Sequence, residues 1–391
     1  MSGDSTEGHC AAVVALRRLA VAAAVVVAAA TPRPAAADDA RVVEPSARIF
    51  FDHGRFRWDG ATQPHATRPT SVRLGVSGSL RERGSYRIES ELADAFASDE
   101  GRAKLRHGYV SYELADRWSL TAGQTDPPFS LHAESSLAHL PLMERALPIA
   151  LAPTYRLAAI VRHDAGTWGA AAGVLGNAVA RDDLPDRRGR GASARVFGML
   201  IERDRWQLHA GASLASWRTG ERRARLEPAP ESALTDRRFV DTGELAGVRA
   251  QRATGLEAYL RRGATALHAE HLQMRVARDA PLSRPAFHGQ FVTLSHFLTG
   301  ESRRIDAGRG VFERVQPKGS HGAFELAARI SRIDLSDADV QGGMQRQFAL
   351  GLNWYPNRYA RLMANYIHGR ARNGEGAARF RILQFRAQFD F

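Results

Sequence analysis

Five arginines are marked out by what stands beside them. Arg73, Arg87, Arg329, Arg361 and Arg386 each adjoin an apolar residue (Leu74, Ile88, Ile330, Leu362 and Phe385) in stretches where polar and apolar side chains alternate. A guanidinium group draws anions and meets phosphate oxygens with paired N–H donors, and weak sites in series let an ion leave as well as arrive. Neutralisation by Glu89, Glu91, Glu325 and Asp390, which share the same faces, is the competing reading. A second set lies in residues 126–156, where Pro127-Pro128 stiffens the start and His132, Glu144, Arg145 and Arg156 follow. Glu144 and Arg145 read either as ion contacts or as a latch to a surrounding wall. Lys318 is a weaker candidate, a lone cation in a charged segment.

Catalytic signatures are missing. His268 and His271 are three apart, which on a strand puts them on opposite faces, so they do not share a metal. The run Gly189-Arg190-Gly191-Ala192-Ser193-Ala194 fits a dinucleotide fingerprint in letters alone, because it opens a strand and lacks the helix N-terminus that holds a pyrophosphate. No Walker loop, nucleophile elbow or cysteine cluster occurs. The sequence therefore implies no enzyme, no resident metal and no cofactor.

The elements that position the arginines repeat every two residues. Val72, Leu74, Val76 and Leu80 alternate with Arg73, Gly75, Ser77 and Ser79, and Leu383, Phe385, Ala387, Phe389 and Phe391 share one face of the C-terminal segment. Such segments are half-buried strands. Alternation alone fits a soluble sandwich or a membrane barrel, and three observations favour the barrel. The segments run about 8 to 12 residues, enough for a tilted strand to cross a bilayer. Trp118, Trp206, Trp217, Trp354, Tyr355 and Tyr359 gather near segment ends, as an interfacial girdle requires. Short links alternate with long ones at 59–69, 126–156, 181–192, 218–252 and 369–379. The predicted fold is an all-β transmembrane antiparallel barrel of about sixteen strands, from Arg48 to Phe391. An arginine on the lipid face near midplane costs about 2–4 kcal/mol, so the five arginines are assigned to the lumen. Residues 298–322 break the pattern, since parity asks for a short turn there.

Arg17-Arg18, an Ala/Val/Leu run from Leu19 to Ala30 and Ala35-Ala36-Ala37 read as a secretory signal peptide over residues 1–37, leaving 38–391 as the barrel domain. Cleavage removes Cys10, the one cysteine, and moves the formal charge only from +12 to +11. Lys104 and Lys318 are the sole lysines among 54 basic residues, so the positive charge is arginine. Nucleic acid is not an expected partner, because the mature chain leaves the compartment that holds it.

The blocks GQTDPPFSLHAESS (123–136), MERALP (143–148) and LAP (151–153) resemble the phosphate-selective porin O and P family of Gram-negative outer membranes. So do LTGESRRIDAGRGVFERVQP (298–317), GAFELAARISRIDL (322–335), GLNWYPNRYARLMANYIH (351–368) and the ending LQFRAQFDF. The resemblance implies a sixteen-stranded outer-membrane barrel embedded in lipid, usually a homotrimer, whose long third loop, here residues 126–156, folds into the lumen and narrows it, and whose cationic wall selects phosphate-like anions. It also implies that Phe391 is read by the barrel-insertion machinery. Thr125-Asp126 replaces the family's aromatic-Lys pair before Pro-Phe, and lysine is scarce. The expected function is thus an anion-preferring diffusion channel for small solutes such as chloride, with phosphate or polyphosphate as candidates. The alternative is a structural or adhesin-type barrel with a plugged lumen and no conductance.

Overall fold

The computed structural model describes residues 43–80, 83–97, 101–179, 188–374 and 376–391. The predicted signal segment, 1–37, lies outside them. Sixteen strands form one closed antiparallel barrel: β1 (Val43–Trp58), β2 (Ala66–Leu80), β3 (Gly84–Glu91), β4 (Lys104–Ala115), β5 (Trp118–Thr125), β6 (Arg156–Asp164), β7 (Trp168–Leu175), β8 (Gly189–Arg203), β9 (Trp206–Thr219), β10 (Val248–Arg262), β11 (Thr265–Arg278), β12 (Ala286–Phe297), β13 (Ala323–Asp337), β14 (Val340–Tyr355), β15 (Ala360–Asn373) and β16 (Gly376–Asp390). Each pairs with the next, and β16 closes on β1 through a register running from Arg48 opposite Asp390 to Trp58 opposite Phe380. Closure removes every sheet edge, which is what lets strands cross lipid with their backbone polar groups satisfied.

Near the end that carries the termini, alternation places side chains as the arginine parity predicts. In β16, Leu383, Phe385, Ala387 and Phe389 face outward while Gln384, Arg386, Gln388 and Asp390 are buried inside. Toward the other end the polarity reverses without any slip in register. Ile382 and Phe380 turn inward and are buried, whereas Arg381 and Arg379 point out. Strand β13 also turns Ile333 and Leu335 inside and Arg332 outside, with a register shift against β14 at Leu335. Strand length is one cause: fifteen residues at about 3.4 Å per residue and a tilt near 40° rise roughly 38 Å, well above an apolar band about 25 Å tall. The lumen contents are the other. Leu226, Leu234, Phe239 and Val240, from the segment 220–247, form a buried cluster with Ile333, Leu335, Phe380 and Ile382.

Three expectations need correction. The 369–379 link is not a long loop, because β15 and β16 continue to a tight hairpin in which Asn373 pairs with Gly376. Trp217 and Tyr355 do not belong to an outer girdle: both are buried inside, while Trp118, Trp206, Trp354 and Tyr359 are exposed. The long link 298–322 does not signal a miscounted strand. Sixteen strands stand, and this segment connects β12 to β13 at the end that holds the termini.

Candidate functional site

Three connecting segments enter the barrel and meet inside it. The first, 126–155, joins β5 to β6. Phe129 and Leu131 are fully buried, and the short helix α1 (Leu131–Glu134) starts with free N–H groups that the wall supplies with acceptors. Glu257 on β10 accepts from the Leu131 N–H at 2.7 Å, and Glu270 on β11 accepts from the His132 N–H at 2.7 Å. The opposite wall contributes donors. Arg361 donates to the carbonyls of Leu140 (2.7 Å) and Pro141 (3.1 Å), Arg386 to that of Met143 (2.6 Å) and Arg329 to that of Glu144 (2.9 Å). A Cβ on Gly289 would stand 2.8 Å from the Cβ of Pro148, so this wall position has no room for a side chain under the loop. Gly289→Ala is expected to lower stability by about 1–3 kcal/mol through overpacking, read from the urea midpoint.

The second segment, 220–247, descends from the far end. Its Glu231 accepts from Arg329 (3.1 Å), Ser331 (2.7 Å) and the Leu147 N–H (3.1 Å), and so ties the first segment to β13. The third is 298–322, which rises from the end of the termini. Its two-residue ribbon, Ile305–Asp306 against Val311–Phe312, packs with Leu131, Leu140, Met199, Tyr259 and Ala266. Arg303 donates to Glu325 at 2.7 Å and to the hydroxyl of Tyr355 at 3.1 Å, and also reaches the carbonyl of His139. The Phe312 N–H donates to the Ser135 hydroxyl at 3.0 Å.

What remains open lies against β1 to β6. A cavity of about 520 Å³ is lined by eight arginines (Arg48, Arg73, Arg87, Arg106, Arg145, Arg162, Arg309 and Arg314) and by five carboxylates, Glu89, Asp126, Glu134, Asp306 and Glu313. Pairing is partial. Arg73 meets Glu89 at 3.1 Å and Glu91 at 2.8 Å, Arg106 meets Asp126 at 2.8 Å, and Arg48 meets Asp390 at 2.9 Å. Arg145 instead bonds the carbonyls of His132 and Ser135, and among the described residues no carboxylate is bound to it. Burial lowers Arg145 to about 10, which leaves it charged at neutral pH. Burial also lowers His139 to about 4 against the pull of Asp390, with Arg314 and Arg48 adding to the fall, so this lining histidine is neutral at pH 7. Asp126 is penalised by burial, yet Arg106 and His107 hold its carboxyl well below the usual range.

The predicted residues thus divide. Arg73, Arg87 and Arg145 line the cavity. Arg329, Arg361 and Arg386 are buried and hold the loop, and Glu144 bonds Arg386 at 2.6 Å. His132 is fully buried, with its Nε2 accepting from the Ala146 N–H, and Arg156 is buried with its guanidinium over Trp217. Lys318 is exposed on segment 298–322, away from the cavity lining. His268 faces inward and His271 outward. Sequence reasoning passed over Arg48, Arg106, Arg303, Glu231, Glu257 and Glu270. The four of these on strands alternate with apolar neighbours like the residues it found, but nothing local marks which loop atoms they would meet.

A closed sixteen-stranded barrel with a polar, arginine-rich interior and an outward apolar belt defines an outer-membrane porin. Residues 47–391 match the family described as phosphate-selective porin O and P, and the chain belongs to that family. It is 29% identical over 343 residues to an uncharacterized protein of Caulobacter vibrioides, covering 82% of this chain and 67% of the relative. Similarity to Porin O of Pseudomonas aeruginosa is 28% over 124 residues, 29% of this chain and 28% of the relative. Among solved structures, the fold resembles the anion-selective porin of Comamonas acidovorans (TM-score 0.56, 11% identity, 90% of this chain and 100% of the other). It also resembles OmpT of Vibrio cholerae in its trimer form (TM-score 0.57, 11% identity, 90% and 100%).

Proposed function

We propose that this porin is an anion-preferring channel for passive diffusion of small solutes, with inorganic phosphate among them. The observation that carries the reading is the cavity against β1 to β6, lined by eight arginines of which six are ion-paired, while Arg145 and Arg309 have no bound carboxylate among the described residues. Excess fixed positive charge in a confined aqueous path concentrates anions and repels cations. The anion-selective porin with the same fold supports it. In this reading Arg73, Arg87 and Arg145 touch the passing ion, residues 126–155 form the constriction, and Arg329, Arg361 and Arg386 act by holding that constriction in place.

In a planar bilayer with a KCl gradient, the reversal potential is expected to favour chloride, and a cation-favouring potential would sink the proposal. The triple variant R73Q/R87Q/R145Q is expected to bring the ratio of anion to cation permeability close to one without closing the channel. Block of chloride current by micromolar phosphate would mark a phosphate site, whereas no block at millimolar phosphate marks a general porin. The plugged-barrel reading draws on a specific observation too, the buried apolar cluster that segments 126–155 and 220–247 share with the wall. No conductance step from the reconstituted protein would decide for it.

We place the protein in the outer membrane as a homotrimer, exported through residues 1–37, with Phe391 as its insertion signal. The strands β3 to β7, of 8 to 12 residues, are adjacent around one side and present Ile88, Leu157, Val161 and Val174 outward. A low apolar wall of this kind suits contact between protomers.

A further inference from the structure

The outer face of the barrel carries an arginine row that the channel does not use. At the end away from the termini, Arg332 pairs in register with Arg346, Arg346 with Arg370, and Arg370 with Arg379, across the consecutive strands β13 to β16. The row continues onto β1, where Arg381 stands opposite Arg57. All six side chains are exposed on the outward face. Like charges set directly opposite each other across a sheet destabilise it. Among the described residues the row has one carboxylate partner, Asp334 on Arg332 at 3.2 Å.

Below the row on the same outward face come the exposed Ile330, Phe348 and Leu383, and on β15 Tyr366 beyond His368. On β14, Arg346 stands eight residues above Trp354, roughly 27 Å along the strand and about 21 Å in height at a tilt near 40°, which sets the two near the upper and lower borders of an apolar band about 25 Å tall. A second patch repeats the arrangement across β10 and β11, where Arg252 faces Arg275. Beside it is a cavity of about 570 Å³ lined by six arginines, of which Arg222 and Arg249 meet Asp279 and Arg278 meets Asp339, leaving Arg218, Arg252 and Arg284 without a carboxylate among the described residues. Cations stacked above a greasy belt match one amphiphile: phosphate groups at headgroup height with acyl chains beneath.

We propose that this belt binds phosphorylated lipid of the outer leaflet, with guanidinium groups gripping the phosphates while the acyl chains lie on the apolar wall. Arginine suits the task, since its fork bonds phosphate bidentately and neighbouring guanidinium groups share one dianion. The proposal rests on the barrel and its orientation and not on the channel's selectivity. It also accounts for the like-charge pairs: they are tolerated because the lipid supplies the missing anion.

The test uses the full chain purified in detergent and titrated with diphosphorylated lipid A, its dephosphorylated form, or inorganic phosphate. Binding of the diphosphorylated lipid is expected to be at least tenfold tighter than that of the dephosphorylated lipid and to weaken as salt rises. The variant R332Q/R346Q/R370Q/R379Q is expected to lose that preference while retaining single-channel conductance. Replacing the same four by lysine should keep most of it and shows that charge, not folding, is what the glutamines removed. Equal binding of both lipids overturns the proposal, as does an unchanged quadruple glutamine variant. Displacement of the lipid by equimolar inorganic phosphate would overturn it as well, showing a site for the free ion.

Discussion

Arg386→Ala is expected to destabilise the barrel by about 3–5 kcal/mol, because it strips the counter-ion from two carboxylates at once. Arg386 donates from Nε to Asp52 at 2.8 Å and from Nη2 to Asp52 at 2.7 Å, and Nη2 also reaches Glu144 at 2.6 Å. Asp52 keeps the Thr70 hydroxyl at 2.6 Å but, among the described residues, no other cation. The Arg386 guanidinium lies 4.3 Å from the Phe50 ring, and its Nη1 donates to the Met143 carbonyl. The loss therefore falls on wall and loop together. A shift of the urea midpoint, followed by tryptophan fluorescence in detergent, measures it, and a change below about 1 kcal/mol would show that water had been solvating the carboxylates all along. The triple variant R386M/D52N/E144Q should recover much of the stability, since no charge is then stranded. It should not recover a stable current, because the loop still lacks its tether.

Shortening segment 298–322 is the second change with a large expected effect. Replacing residues 302–318 by a short Gly-Ser link removes the ribbon that packs beneath 126–155. The barrel of sixteen strands is wide enough for an aqueous channel, so conductance is expected to rise roughly twofold or more. Arg303 goes with the segment, which would leave Glu325, now fully buried against it, with Arg361 at 3.9 Å as its nearest cation. The deletion is therefore best made together with Glu325→Gln. Conductance equal to that of the intact protein would mean that the ribbon stands beside the ion path and not across it.

Much of the architecture was legible because lipid enforces it. Period-two alternation, strand number and the inward aim of Arg73, Arg329 and Arg386 all follow from the cost of a charge in hydrocarbon. The same rule misleads where a strand leaves hydrocarbon. Arg370 and Arg381 alternate with apolar residues as regularly as Arg386 does, yet they face outward. Nothing in a single strand says at what height it leaves the bilayer. The interior contacts were also illegible. His132, Glu144 and Arg145 were found as a group, but which of them faces the cavity depends on Glu231 and Glu270, which lie far off in the chain. Residues 298–322 could be flagged as anomalous from parity alone, whereas their ascent into the barrel rests on Arg303 meeting Glu325 and Phe312 meeting Ser135.

The tethers of segment 126–155 also bear on the order in which the protein takes shape. Its carbonyls are held by Arg329, Arg361, Arg386 and Gln388, all from the last four strands. Contacts at such separation form late, since the long intervening chain must first be organised. The segment is made early; Glu257 and Glu270 on β10 and β11 can receive its first N–H groups, but its carbonyls stay without their donors until the final strands arrive and the seam between β16 and β1 is sealed. Barrel closure and setting of the inner loop are thus one event, and a chain that stops short of its last strand loses its gate along with its wall.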